Sequence, residues 1–205
     1  MIADTDRECA DMCRRIQYGH EYARPRRWAN IMLNHRVKRE SLPEVLRCSM
    51  LVEGVDEFLY VFAPTFDIVL DGSEPTTLDE LTRVFDRNEV LKVSGRHCEN
   101  TIFGDQHLNC AFRAWHDWMH YACGLDTSCD GEGALALRSI EAVRRADLGV
   151  EGINLRFVEA VIWVETYGQT AFYRAHGRFP SNQAAFSLSA LAYGIGHAVE
   201  WAEAG

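Results

Sequence analysis

The chain has 205 residues, of which 47% are hydrophobic and 25% charged, a composition typical of a folded domain rather than a disordered one. Its formal net charge of −9 argues against binding to a nucleic-acid backbone, because phosphates attract a basic surface. The sequence contains no apolar run of about eighteen residues, so we expect no segment that spans a membrane.

The N-terminal segment and the cysteines both indicate a reducing compartment. The opening residues, MIADTDRECADMCRR, are polar and acidic, whereas a secretory signal is basic and then apolar. The seven cysteines are odd in number and contain no CxxC pair. Free thiols are typical of such a pattern in a chain without a secretion signal. We therefore expect a cytoplasmic protein.

Residues 1–95 are predicted to form an N-terminal helical region. Hydrophobic periodicity favours helices over about 5–23 and 27–39. A third helix is expected to begin near Ser41, which has Glu44 three residues later in the spacing of a capping box, and to reach about residue 52.

The remainder of this region mixes strand and helix signals. Residues 58–70, FLYVFAPTFDIVL, are rich in aromatic and β-branched residues but contain Pro64. This segment is either a short β-hairpin or a buried connection. A turn is expected at Asp71, a short helix over about 77–86, and a loop over 91–106.

Residues 96–205 are predicted to form a four-helix region, which is either a separate unit or continuous with residues 1–95. The four helices are expected over about 108–123, 131–147, 153–176 and 181–203. Asp130 and Ser181 are the expected N-caps of the second and fourth helices. Short links favour bundle-like packing, so the fold class is mainly α.

Two histidines on the first of these helices indicate a metal site. His116 and His120 are four residues apart, so they project from one face, beside the apolar Phe112 and Met119. Such a pair can chelate one ion through both imidazoles, or can be two hydrogen-bonded core histidines. Asp117 is expected to pair with Arg113, to bind the metal, or to orient an imidazole.

An acidic residue on the third helix strengthens this interpretation. Glu165 continues an apolar stripe that includes Val161 and Ile162, and Gln169 follows it at i+4. A carboxylate in such a stripe is costly to bury unless it is paired or metal-bound. The partner is expected to be a metal shared with the two histidines, or an arginine such as Arg138 or Arg156.

Several further residues complete the predicted centre. Glu132 is either a fourth ligand or an acid favoured by the helix dipole, and Gln183 either hydrogen-bonds into the centre or belongs to the cap. The predicted metal ligands are His116, His120, Glu132 and Glu165, with Gln169 as a further cofactor-binding residue. Two imidazoles with two carboxylates suit zinc, iron or manganese. Asp117 or Glu132 would act as general base on a bound water.

The segments RAWHDWMH, DGEGALAL, VETYGQTAFY and GRFPSNQAAF resemble a group of uncharacterised bacteriophage proteins that share a His-Asp-x-x-His, Gly-Glu and Glu-Thr-x-Gly-Gln pattern. The resemblance covers about residues 108–186. It implies a phage protein of the host cytoplasm and one grouped site made of His116, Asp117, His120, Glu132, Glu165 and Gln169. It does not imply a reaction.

A second resemblance, through His116-Asp117 and His120, is to HD-domain metal phosphohydrolases. It implies an upstream histidine, either His97 or His107, and the downstream Asp147 as further ligands. Ferritin-like di-iron bundles repeat a Glu-x-x-His unit, which this sequence lacks.

Two hypotheses follow. The first is a metal-dependent hydrolase that acts on a small polar or nucleotide-like substrate. The alternative is a non-catalytic phage protein that binds a host protein or inhibits host defence, in which the polar cluster is a hydrogen-bonded network that fixes helix packing. The expected partner is accordingly a small molecule or a host protein, with no nucleic-acid backbone and no membrane.

Overall fold

A computed structural model of the protein describes residues 63–98, 100–104, 106–145 and 155–201. The helices predicted before residue 52, and the beginning of the 58–70 segment, lie outside the described residues. The described part consists mainly of helices with one small sheet, which confirms the predicted fold class. None of the described helices is long and apolar enough to cross a membrane.

The sheet is a small parallel β-α-β unit. Strands β1 (Phe66–Val69) and β2 (Leu91–Ser94) pair in parallel, with Phe66 opposite Leu91. Parallel neighbours need a crossover, which helix α1 (Leu78–Asp86) supplies. The Thr77 hydroxyl accepts a hydrogen bond from the Glu80 N–H and so caps α1.

This unit confirms one expectation and corrects two. The helix expected over about 77–86 is present. Of the two alternatives for residues 58–70, a hairpin or a buried connection, the described residues do not form the hairpin, because residues 66–69 pair with a strand that follows α1. Residues 91–94 were expected to be loop but form β2. The strand has only four residues, which is too short for its alternation of buried and exposed side chains to be recognised.

Helix α2 (Gln106–Cys123) lies between two hydrophobic clusters. Cys110 and Ala114 pack with Leu81 and the buried residues of β2. Trp115 and Met119 belong to the main core, which the later helices complete. The sheet and the helical region therefore contact the same helix.

The later helices surround that main core. They are α3 (Cys129–Arg145), α4 (Leu155–Trp163), α5 (Gln169–His176), α6 (Gln183–Tyr193) and α7 (Ile195–Trp201). A π-helical segment, Val164–Gly168, joins α4 to α5. The single helix predicted over 153–176 thus contains a π-helical turn, and the helix predicted over 181–203 is divided at Gly194, whose φ is 97°.

Two predicted N-caps are corrected. Asn182, and not Ser181, caps α6, because its Oδ1 accepts from the Ala185 N–H at 2.9 Å. At α3 the Ser128 hydroxyl accepts from the Gly131 N–H at 3.1 Å, so Ser128 takes the place predicted for Asp130.

The start of α3 also requires a glycine. A Cβ on Gly131 would lie 2.1 Å from the Asp126 carbonyl oxygen. We expect Gly131→Ala to lower the free energy of unfolding by about 1–3 kcal/mol, because the backbone must shift. Urea denaturation measures this change. Gly196→Ala in α7 is the matched control, since a Cβ there has no atom within 4 Å. Equal stability of the two variants would contradict the prediction.

Candidate metal centre

Three side chains from α2 and α3 meet at one point. His116 and His120 lie one turn apart on α2, and Glu132 lies in the first turn of α3. One ligand atom from each of the three lies within 4.8 Å of the other two. Glu132 Oε2 is 3.0 Å from His116 Nε2, and Glu132 Oε1 is 3.3 Å from His120 Nε2. The Glu132 carboxylate therefore faces both imidazoles.

His120 is the most constrained of the three. Its side chain is buried, and its Nδ1 lies 2.8 Å from the Leu125 carbonyl oxygen. Because a carbonyl can only accept, Nδ1 carries a proton, and the neutral ring then has its lone pair on Nε2. This Nε2 has no hydrogen-bond partner among the described residues, although Glu132 Oε1 is near. A buried lone pair beside a carboxylate is unfavourable unless a cation lies between them.

His116 contacts two carboxylates. Its Nδ1 is 3.2 Å from Asp117 Oδ1, while its Nε2 faces Glu132. Burial opposes the charged imidazole, but the charge of Glu132 and the hydrogen bonds outweigh it, so the pKa of His116 is raised. Burial likewise opposes the charged Glu132, but the charge of His116 outweighs it and lowers the pKa of Glu132.

The spacing fits a metal ion. Donors about 2.0–2.2 Å from a tetrahedral ion are about 3.4 Å apart. The two imidazole–carboxylate distances of 3.0 and 3.3 Å, which join different oxygens of Glu132, are close to that value. The three ligand atoms lie within 4.8 Å of one another, so the side chains would have to adjust around an ion. The Asp117 carboxylate and the Leu125 carbonyl hold the other ring nitrogens, as the outer partners of metal-bound histidines commonly do. His116, His120 and Glu132 could therefore hold a metal ion.

Glu165 lies outside this group of three. It belongs to the π-helical segment and accepts hydrogen bonds from the Ser187 hydroxyl and, at 2.8 Å, from Gln169 Nε2. Gln169 accordingly contacts Glu165 rather than the imidazoles. Burial raises the pKa of Glu165 to about 7, although both hydrogen bonds and the nearby charge of Arg113 act to lower it.

The arginines considered as partners of Glu165 and Asp117 do not form those ion pairs among the described residues. Arg138 pairs with Glu141 at 3.3 Å, and the side chain of Arg156 lies outside the described part of the chain. Arg113 donates to backbone carbonyls, so the expected Arg113–Asp117 pair is replaced by the contact of Asp117 with His116.

A cavity of about 400 Å³ connects these features. His116, Glu132 and Glu165 all line it. The Glu165 carboxylate therefore shares this cavity with the candidate metal cluster of His116, His120 and Glu132 but does not belong to that cluster. Its wall also includes the residues Arg96, His97, Asn109, Arg113, Gln169 and Gln183.

The remaining predicted residues lie at different places. His97 is exposed at the cavity, whereas the His107 ring packs against Phe66 with centroids 5.4 Å apart. Asp147 lies outside the described residues. Ser187 was not predicted as the partner of Glu165, because its only signal in the sequence is that of a small polar residue within a nearly apolar helix. The Leu125 carbonyl was not predicted either, because no side-chain pattern can indicate it.

Comparison of the chain with family models, with curated proteins and with solved structures gave no match.

The raised pKa of Glu165 predicts a pH-dependent stability. The folded state keeps the proton between pH 4.5 and 7, where the unfolded state has lost it, so stability falls as pH rises through this range. We expect the free energy of unfolding of the metal-free wild type to fall by about 3 kcal/mol relative to Glu165→Gln. Denaturant titrations at several pH values measure the difference. Glu200→Gln, an exposed control, should follow the wild type, and parallel curves for Glu165→Gln would refute the prediction.

Proposed function

We propose that this chain is a metal-dependent hydrolase that acts on a small polar or nucleotide-like substrate. The observation that supports it best is the buried His120 Nε2, which faces the Glu132 carboxylate without a hydrogen bond. A divalent ion held by His120, His116 and Glu132 would satisfy all three donors together. Zinc, iron and manganese suit this nitrogen-rich set.

The number of protein ligands favours catalysis over a purely structural metal. Structural zinc sites are closed by four protein ligands, whereas catalytic sites use three and keep one position open. Here three donors meet, and two of them, His116 and Glu132, line a cavity large enough for a small ligand. The ion would supply Lewis acidity to a water molecule or substrate oxygen at that open position.

The surroundings of the carboxylates suggest separate roles. Both oxygens of Glu132 face imidazoles, which suits a ligand more than a general base. Asp117 contacts His116 Nδ1 and would orient that ring. Glu165 lines the cavity, and its pKa of about 7 is near the value at which a side chain exchanges protons most effectively. We assign proton transfer to Glu165.

A second function has its own support. Without a metal, a protonated His116 satisfies both ring nitrogens by donating to Asp117 and Glu132. This arrangement suits a structural network in a non-catalytic phage protein that binds a host protein or counters host defence. Phage origin and a host-cytoplasmic location are part of both proposals, and the resemblance of residues 108–186 supports them.

Metal analysis separates the two functions. We expect purified wild type to contain about one metal ion per chain and its melting temperature to fall with a chelator, because an ion that binds only the folded state stabilises it. His116→Ala/His120→Ala should contain almost none. Glu132→Gln removes the charge with little change of volume and should bind metal more than about tenfold more weakly. His197→Ala, on an exposed histidine, is the control. Equal and negligible metal content in the wild type and in every variant would exclude the metal function.

Asp117 provides a finer test. Asp117→Asn keeps the shape but weakens the acceptor at His116 Nδ1, so we expect metal affinity to fall by about 10–100-fold with folding retained. Competition with a chromophoric chelator measures the affinity. Asp130→Asn, an exposed acid in the first turn of α3, should leave it unchanged. An unchanged affinity in Asp117→Asn would show that this carboxylate does not support the site.

A further inference from the structure

Arg113 is a positive charge held in the wall of the cavity. Its Nη1 donates to the carbonyl oxygens of Ser94 and Arg96, at 2.8 and 3.0 Å. These bonds tie the guanidinium to the end of β2 and fix its position. Both of these hydrogen bonds come from Nη1. The other two nitrogens, Nη2 and Nε, have no hydrogen-bond partner among the described residues.

No carboxylate in the described part of the chain forms an ion pair with Arg113. Its charge acts on Glu165, which lines the same cavity. Glu165 already accepts from Ser187 and Gln169, and burial favours its neutral form. The Arg113 guanidinium therefore lies in the cavity wall without a carboxylate at ion-pair distance among the described residues.

Arg113 also lies close to the candidate metal ligand His116. It precedes His116 by three residues on α2, so the two side chains project from the same face, with Cβ atoms about 5–6 Å apart. Both line the same cavity. A group bound between them would contact the guanidinium on one side and the open metal position on the other.

We propose that this cavity binds an oxyanion, the phosphate or carboxylate group of a substrate, between the Arg113 guanidinium and the ion held by His116, His120 and Glu132. The inference rests on the proposed metal site. A guanidinium with unused N–H donors matches the paired oxygens of such groups. Arg96, at the same wall, adds a second positive charge.

The cavity also indicates what else the ligand carries. Glu74 lines it, and the Glu74 Oε2 is buried without a hydrogen-bond partner among the described residues. A buried carboxylate oxygen needs a donor. The ligand thus combines an oxyanion with an N–H or O–H group, which makes it a small polar metabolite rather than an apolar one.

Calorimetric titration tests the proposal with inorganic phosphate and with acetate, each added to cobalt(II)-loaded and to metal-free protein. We expect at least one of the two anions to bind the loaded protein and to change its visible cobalt spectrum. Arg113→Gln should weaken that binding at least tenfold while the cobalt content stays the same. Arg138→Gln, at an exposed arginine of α3, should behave as the wild type.

The outcomes separate this inference from the metal function. If neither anion binds the wild type in either form, or if Arg113→Gln binds as tightly as the wild type, the oxyanion site is wrong even when cobalt binds. If cobalt does not bind, the metal function fails together with the metal side of this site. Arg113-dependent anion binding to the metal-free protein would then support the Arg113 side alone, and its absence would overturn that side too. Should Arg113→Gln not fold, Arg113→Lys replaces it. An ammonium group has three N–H donors and no planar fork, so it cannot hold both carbonyls and also offer paired donors to the anion. Weaker binding therefore supports the site and unchanged binding overturns it.

Discussion

The contact of one buried carboxylate with two imidazoles organises the helical region. A buried Glu132 anion needs a positively charged partner, and α2 supplies one in His116, whose Nε2 lies 3.0 Å from Glu132 Oε2. The contact fixes how the start of α3 approaches α2. Two local features of the α2–α3 link allow α3 to begin there. Gly131 lets the backbone pass close to Asp126, and the Leu125 carbonyl orients the His120 ring.

Three buried glutamates show how their surroundings divide their roles. Glu159 is neutralised by a bidentate pair with Arg144, at 2.6 and 2.9 Å. Glu132 is neutralised by His116, and a metal ion could use both imidazoles as co-ligands. Glu165 accepts hydrogen bonds only from uncharged donors, and burial raises its pKa to about 7. The same side chain is thus a structural anchor, a candidate ligand or a candidate proton carrier, according to its partners.

The sequence predicted the elements whose signals are local and periodic, and it missed those that depend on distant partners. The helix that bears His116 and His120 was expected from its pattern and its terminal glycine, and it is present. Apolar neighbours showed that Glu165 is buried, but periodicity cannot identify a partner, and Ser187 is 22 residues away. Strand β2 and the π-helical segment were missed because four or five residues are too few for a period to be recognised.

The π-helical segment suggests why this polar arrangement is retained. The Gln169 N–H bonds to the Val164 carbonyl, five residues earlier, so the helix takes up an extra residue at Glu165. Such turns cost helical regularity and are frequent at functional sites. Apolar residues of similar size would stabilise a helix core at least as well as buried carboxylates and amides do. Glu165, Glu132 and Arg113 line one cavity, and the proposed binding of a polar ligand there would account for the position of all three.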